Sequence, residues 1–194
     1  MFKDCWKKEI ITIPNLLSLL RLILIPVYIV IYCNAKTSFQ FYTAGIIISI
    51  SCMTDLLDGK IARRFHMEST VGKILDPLAD KLTQLTLTFC LSIKYPSMMG
   101  VLILLVLKEL LQLGLGIHHL IHGKILSGAL TAGKICTTVL FLSLILLVII
   151  PDMHPRAVAV IALIDGLFLL ISLTSYLLAY LGNGVLLKPF IENE

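Results

Sequence analysis

Residues 54–82, TDLLDGKIARRFHMESTVGKILDPLADKL, place four aspartates between two long apolar runs. The acids form two pairs, Asp55 with Asp58 and Asp76 with Asp80, separated by a short linker that contains basic residues. Residues three or four apart lie on the same face of a helix. Each pair therefore presents two carboxylates from one helical face, beside segments that are otherwise suited to lipid.

The rest of the chain is too apolar for a soluble protein. Of its 194 residues, 58% are hydrophobic and only 14% are charged, and the mean hydropathy is +0.96. A soluble domain of this length needs a polar surface that this composition does not supply, so the sequence predicts an integral membrane protein. The five cysteines form no CxxC pair and indicate neither a disulfide framework nor a zinc site.

Six apolar segments are long enough to cross a bilayer as helices, which takes roughly 20 residues each. They lie at about 12–33, 39–59, 73–93, 97–117, 129–150 and 157–181, and Pro, Gly or polar clusters separate them. The predicted fold is all-α, with six transmembrane helices in one domain, residues 1–194. The basic start, MFKDCWKKEI, is expected to form a short amphipathic helix on the membrane surface.

The distribution of lysine and arginine predicts the orientation. Ten basic residues fall on the side of the N-terminus and three on the other, namely Lys36, Lys94 and Arg156. Both termini and the four aspartates are therefore expected to face the cytoplasm. No cleavage site or transit peptide is recognisable at the start, which favours the cytoplasmic (inner) membrane of a bacterium.

Four converging carboxylates need compensating positive charge. Lys60, Arg63, Lys73 and Lys81 are near enough in sequence to form an ion-pair network at a helix hairpin. Divalent metal is the more economical alternative, because an all-carboxylate oxygen set suits Mg²⁺ or Mn²⁺. The number of acids would serve two ions.

The spacing of these residues also carries a resemblance. Eight residues fit the pattern D-x2-D-G-x2-A-R-x8-G-x3-D-x3-D, which resembles the signature of the CDP-alcohol phosphotransferase (phosphatidyltransferase) family; they are Asp55, Asp58, Gly59, Ala62, Arg63, Gly72, Asp76 and Asp80. Members of that family have six membrane spans with this motif across the second and third, as predicted here. The motif matches in identity, and the rest of the chain matches in architecture.

The resemblance implies transfer of a phosphatidyl group from CDP-diacylglycerol, or a related CDP-alcohol, to an acceptor hydroxyl with release of CMP. By analogy, the four aspartates hold metal, donor-binding residues surround them, and Asp80 is also the general base. The implied donor-binding residues are Asp58, Gly59, Ala62, Arg63 and Gly72. A homodimer formed through transmembrane helices is implied as well.

Beyond the eight fixed positions of the motif, the sequence resembles the bacterial phosphatidylglycerophosphate synthase branch of the family, whose acceptor is sn-glycerol 3-phosphate. The start ITIPNLLSLLRLILIPVYIV and the segment GKILDPLADKL carry this likeness. Where that branch has Arg-Glu and Gly-Lys-x-Lys-Thr, this chain has Lys108–Glu109 and GKICT, with Cys136 in place of the second lysine. The candidate acceptor-binding residues are Lys134, Thr137, Arg21 and Lys108.

These departures leave a second acceptor open. A cardiolipin synthase, with phosphatidylglycerol as acceptor, would need less positive charge in the pocket.

Two rivals use different chemistry: a membrane prenyltransferase, which would release pyrophosphate, and a cation carrier, for which Glu109 and Asp165 are the mid-membrane acids. The pair His118 and His122 has metal-ligand spacing, but a solvated interfacial loop is the favoured interpretation.

Two basic residues, Arg21 and Lys108, lie within predicted spans, where an unpaired cation is costly. Each is therefore expected to have an acidic partner, and Glu109 is the candidate for one of them. Asp165, inside the last span, is expected to make a buried ion pair or polar contact.

Overall fold

A computed structural model of the protein describes residues 13–37, 39–50, 72–121, 124–126, 131–181 and 187–189. Within these ranges the helices are α1 (Ile13–Asn34), α2 (Phe39–Ile50), α3 (Gly72–Lys94), α4 (Met98–Ile121), α5 (Thr131–Ile149) and α6 (Pro155–Leu181). The predicted helical architecture is confirmed for the described part apart from one short pair of strands, and α1 and α3 to α6 begin and end within a few residues of the predicted segments. The predicted amphipathic segment at the N-terminus lies outside the described residues.

Four of these helices, α1, α4, α5 and α6, are long and apolar enough to cross a membrane. A helix is favoured in lipid because it pairs its own backbone N–H and C=O groups where no water can do so. Helix α3 has a comparable length of 23 residues but carries five charged side chains. Helix α2 is described over Phe39–Ile50, which is shorter than a full span.

Proline marks two of the helix boundaries. Pro96 follows the end of α3, and the next helix starts at Met98, whose backbone N–H donates to the carbonyl of Tyr95 at 2.9 Å. Pro155 is the first residue of α6, where its missing N–H costs no helical hydrogen bond. These are the breaks that the sequence pattern predicted.

One prediction between α4 and α5 is wrong. The segment around His118 was expected to be a loop, but α4 continues to Ile121 and places His118 in its last turns. The sequence there contains no proline, and the next glycine is Gly123, so nothing ends the helix earlier. His122 lies outside the described residues.

A short antiparallel pair of strands was not predicted either. Strand β1 (Lys124–Leu126) pairs with β2 (Leu187–Pro189), so that Ile125 lies opposite Lys188. Three residues are too few for a recognisable strand pattern in the sequence. The pair joins the segment after α4 to the segment after α6.

The helices belong to two compact units. The first comprises Met1–Cys90 and Ile145–Asp152, and the second comprises Leu91–Leu144 and Met153–Glu194. In the second unit α4 packs against α6. The buried residues of α6 alternate at spacings of four and three, as expected for one helix face against a neighbour: Val158, Ala162, Asp165, Leu169, Ser172, Tyr176 and Ala179.

In the first unit α1 and α3 run in the same direction. Ser18 contacts Asp76, Arg21 contacts Asp80, and Cys33 lies beside Cys90. The contacts follow the same order along both helices, with sequence offsets of 58 and 59 residues for the first two. This order is possible only if the helices are parallel neighbours.

The parallel arrangement predicts a specific crosslink. Oxidation of the protein in membranes with copper–phenanthroline should join Cys33 to Cys90, because the parallel helices bring these two side chains together. A disulfide forms only between such neighbours, since it needs Cα atoms within about 7 Å of each other. Mass spectrometry of the digested protein detects the linked peptide, and Cys90→Ser provides the control that must abolish it. Full alkylation of Cys33 after oxidation, with no linked peptide, would contradict the arrangement of α1 and α3.

Candidate functional site

Asp76 and Asp80 occupy the first half of α3, one helical turn apart. Helix α3 begins at Gly72, and its early residues include Pro77, which lies in the second turn. The side chain of Asp80 is 51% exposed, whereas Asp76 is half-buried and Ala79 is fully buried. The two carboxylates thus lie at the edge of the packed face of α3, as the spacing in the sequence predicts.

Helix α1 supplies a donor to each carboxylate. The hydroxyl of Ser18 donates to Oδ1 of Asp76 at 2.5 Å. The Nη1 atom of Arg21 donates to Oδ1 of Asp80, also at 2.5 Å, in an ion pair. Ser18 and Arg21 are both buried, with at most 2% of either residue exposed. We refer to Ser18, Arg21, Asp76 and Asp80 as the α1–α3 cluster.

The buried face of α1 explains why the cluster forms where it does. Its first half is polar, with Asn15, Ser18 and Arg21 at intervals of three residues. Its second half is apolar or aromatic and includes Ile25 and Tyr28. The polar half therefore lies in the part of α1 that meets the first turns of α3.

Ser18 is the residue that the sequence analysis missed. The signal was present, because a regular spacing of polar residues in an otherwise apolar span marks one helix face. Arg21 was expected to have an acidic partner, and that expectation is confirmed. The partner is Asp80, while Glu109 pairs with Lys108 at 2.7 Å.

The other half of the predicted site lies outside the described residues, namely Asp55, Asp58, Gly59, Ala62 and Arg63. Among the residues that the structure does describe, no group of three or more His, Cys, Asp or Glu side chains could hold a metal ion. Of the four aspartates that the sequence predicts as metal ligands, the set therefore has two described members, Asp76 and Asp80.

These two members fit the chemistry of a hard divalent cation. Mg²⁺ and Mn²⁺ prefer oxygen ligands, and Mg²⁺ is usually bound through one or two carboxylates together with water and substrate phosphates. A carboxylate that is partly exposed can reach an ion without a large desolvation cost, and Asp80 meets this condition. Ser18 donates a hydrogen bond to Asp76, and carboxylates that bind metal are usually held by such a bond from a neighbouring group.

The second unit contains a separate buried cation. Lys108 on α4 is 2% exposed and pairs with Glu109, and its Nζ atom lies 6.0 Å from the ring centre of Tyr176 on α6. A charge buried in a membrane helix requires such compensation. Glu109 also borders a cavity of about 330 Å³, together with Gln112, Leu113, Gly116, Ile117 and Tyr180.

The start of α5 contains the remaining predicted acceptor residues. Lys134 is exposed, whereas the hydroxyl of Thr137 donates to the backbone carbonyls of Gly133 and Lys134. Gly133 packs so closely against Tyr176 that an added Cβ would lie 2.6 Å from the tyrosine hydroxyl. Cys136, which replaces the second lysine of the related pattern, is buried.

Asp165 makes the polar contact that was expected of it. Its Oδ2 atom accepts a hydrogen bond from the hydroxyl of Ser143 at 2.6 Å. The contact joins α5 and α6 in the second unit, and Asp165 is almost fully buried there. Among the described residues, its Oδ1 atom has no hydrogen-bond donor.

Comparison with known proteins identifies the family. A family model described as CDP-alcohol phosphatidyltransferase matches residues 11–176. A CDP-diacylglycerol–glycerol-3-phosphate 3-phosphatidyltransferase of Escherichia coli K12 is 41% identical over 69 residues, which cover 36% of this chain and 37% of that protein. The protein of the same name from Pseudomonas fluorescens is 39% identical over 70 residues, covering 36% of this chain and 35% of the relative.

A third relative carries a different name. A cardiolipin synthase (CMP-forming)/mitochondrial hydrolase fusion protein of Schizosaccharomyces pombe is 42% identical over 92 residues, or 45% of this chain and 14% of the fusion protein. The matched stretches thus span little more than a third of the bacterial relatives and less of the fusion protein. The family match is far longer, and the chain belongs to the CDP-alcohol phosphatidyltransferase family.

Proposed function

We propose that the protein transfers a phosphatidyl group from CDP-diacylglycerol to sn-glycerol 3-phosphate, giving phosphatidylglycerophosphate and CMP. Membership of the family and the names of the two bacterial relatives support this reaction. The structural observation that carries it is the α1–α3 cluster, in which two partly accessible carboxylates lie one turn apart and each receives a buried donor.

The reaction breaks the phosphoanhydride bond of CDP-diacylglycerol and forms a phosphodiester bond to the acceptor. The acceptor hydroxyl oxygen attacks the phosphorus atom that bears the diacylglycerol group, and the bond from that phosphorus to the oxygen of CMP breaks. Asp80 takes the proton of the hydroxyl, and CMP leaves with the electron pair of the broken bond. Bound divalent metal would neutralise the pyrophosphate of the donor and the negative charge that develops on the leaving CMP.

The motif residues divide between metal and donor. Asp55, Asp58, Asp76 and Asp80 would hold Mg²⁺ or Mn²⁺, as two ions. Asp58, Gly59, Ala62, Arg63 and Gly72 would line the site of the cytidine and phosphates, where the small residues leave room and Arg63 pairs with phosphate. The acyl chains of the donor would stay in the bilayer.

The four candidate acceptor residues differ in their exposure and in whether their polar groups are already paired. Arg21 and Lys108 are buried and already paired with carboxylates, and the hydroxyl of Thr137 is bonded to the backbone of its own helix. Lys134 is exposed. We therefore propose Lys134 as the principal contact for the acceptor phosphate, with the other three in supporting roles.

The membrane arrangement is part of the same proposal. The whole chain, residues 1–194, would form one domain with six spans, an interfacial helix at its start and both termini in the cytoplasm. The aspartates would then face the cytoplasmic side of a bacterial inner membrane, where a polar acceptor and a nucleotide-activated lipid can meet. A homodimer completes the proposal.

A second acceptor, phosphatidylglycerol, would make the protein a cardiolipin synthase. Two observations favour this alternative: the likeness to the cardiolipin synthase fusion protein, and the presence of buried Cys136 where the related pattern has a second lysine. One fewer cation suits an acceptor that lacks a terminal phosphate monoester.

An acceptor panel distinguishes the two reactions. Purified protein supplied with CDP-diacylglycerol and Mg²⁺ should release CMP with sn-glycerol 3-phosphate and much less with phosphatidylglycerol. Asp80→Asn should reduce the rate by at least about 100-fold, because removal of a general base typically costs 10²–10⁴-fold. Asp152→Asn, the same change in the exposed turn before α6, should leave the rate unchanged.

The products released in this assay distinguish the proposed reaction from each alternative function. CMP release only with phosphatidylglycerol would replace the first proposal with the second. Release of pyrophosphate in place of CMP would favour a prenyltransferase, and ion flux that survives Asp80→Asn would favour a cation carrier. Either of the last two results would contradict phosphatidyl transfer.

A further inference from the structure

We infer that Ser18 is a positioning residue that orients the carboxylate of Asp76 for metal binding. The inference rests on the proposed function, because it assigns metal to Asp76. It adds a role for a residue of α1 that lies outside the aspartate motif. Ser18 would act through Asp76 and would touch neither substrate nor metal.

The partner of Ser18 sets it apart from most hydroxyls in the described part of the chain. Thr83, Thr88 and Ser175 each donate to the backbone carbonyl four residues earlier in their own helix, at 2.7–2.8 Å. That local bond satisfies a hydroxyl in an apolar segment without any tertiary contact. The hydroxyl of Ser18 donates to a carboxylate 58 residues away, on another helix.

The setting makes this bond hard to replace. Ser18 is fully buried, so a water molecule cannot readily take the place of its hydroxyl. When a buried hydrogen bond to a charged group is lost, the desolvation penalty of the group left unpaired is no longer offset. Without Ser18, the carboxylate of Asp76 would be free to rotate towards another donor or towards solvent.

A neutral donor suits a metal ligand. Arg21 brings a full positive charge to Asp80, which offsets the charge of that carboxylate. Ser18 fixes the orientation of Asp76 and leaves its negative charge in place, so the Coulomb attraction for a divalent cation is preserved. The α1–α3 cluster thus combines one charge-compensated carboxylate with one carboxylate that is oriented but uncompensated by its α1 donor.

The inference predicts a defect in metal affinity. In Ser18→Ala, the dissociation constant for Mn²⁺, measured by electron paramagnetic resonance on purified protein without substrate, should rise about 10-fold or more. This is the low end of the 10–100-fold range typical when the hydrogen-bond partner of a metal ligand is removed. The Mg²⁺ concentration for half-maximal CMP release should rise in parallel, and Ser18→Thr, which keeps a hydroxyl, should restore both.

Ser143→Ala provides a matched control. It removes a serine-to-aspartate hydrogen bond of similar length, 2.6 Å, from the buried contact with Asp165. Both alanine variants should lower the melting temperature in detergent, but only Ser18→Ala should weaken Mn²⁺ binding. Equal Mn²⁺ affinity in the two variants would overturn the role of Ser18.

The Asp76→Asn variant distinguishes a failure of the Ser18 positioning role from a failure of the proposed metal site. If Asp76→Asn weakens Mn²⁺ binding and Ser18→Ala does not, the positioning role fails and the metal site stands. If Asp76→Asn leaves Mn²⁺ binding unchanged, Asp76 is not a metal ligand, and both the metal assignment and the role of Ser18 are contradicted.

Discussion

The ion pair between Arg21 and Asp80 is the constraint on which the arrangement of the first unit depends. A lone arginine or aspartate in a membrane helix costs about 2.5–3.5 kcal/mol at the centre of the bilayer, and less near its surface. Pairing the two charges at 2.5 Å removes much of that cost. The pair also fixes which turn of α1 meets which turn of α3, and Ser18 and Asp76 meet one turn earlier as a result.

A buried cation is also paired with a carboxylate in the second unit, but that pair does not join two helices. Lys108 is buried and paired with the adjacent Glu109, so its charge is compensated within one helix. Arg21 is compensated by another helix and therefore brings two helices together. Of the four predicted acceptor residues, Lys134 alone combines a positive charge with exposure. The roles that we propose for these cations thus differ according to whether each cation is already paired with a carboxylate.

The helix boundaries and the shared face of Asp76 and Asp80 could be predicted from the sequence, because the signals for them are local. Pro96 and Pro155 mark helix boundaries, and the spacing of Asp76 and Asp80 places both on one face of α3. The contacts between α1 and α3 are not local, and periodicity does not say which helix faces which. The polar spacing of Ser18 and Arg21, which the sequence analysis did not use, could have indicated a polar face on α1, but not that Asp76 and Asp80 lie against it.

Two smaller features were also beyond a local pattern. The end of α4 depends on how far a helix continues when no residue stops it, and it runs on past His118 to Ile121. The pairing of β1 with β2 joins segments about 60 residues apart through three residues on each side, which leaves no periodicity to detect. Both features affect the ends of helices and leave the placement of Asp76 and Asp80 unchanged.

The central claim is that the carboxylates on α3 serve a divalent cation that phosphatidyl transfer requires. Its most direct test is CMP release from CDP-diacylglycerol after the purified protein has been stripped with a chelator and then resupplied with Mg²⁺. We expect no CMP release from the stripped protein and full recovery on addition of Mg²⁺. Undiminished turnover in the metal-free preparation would contradict it.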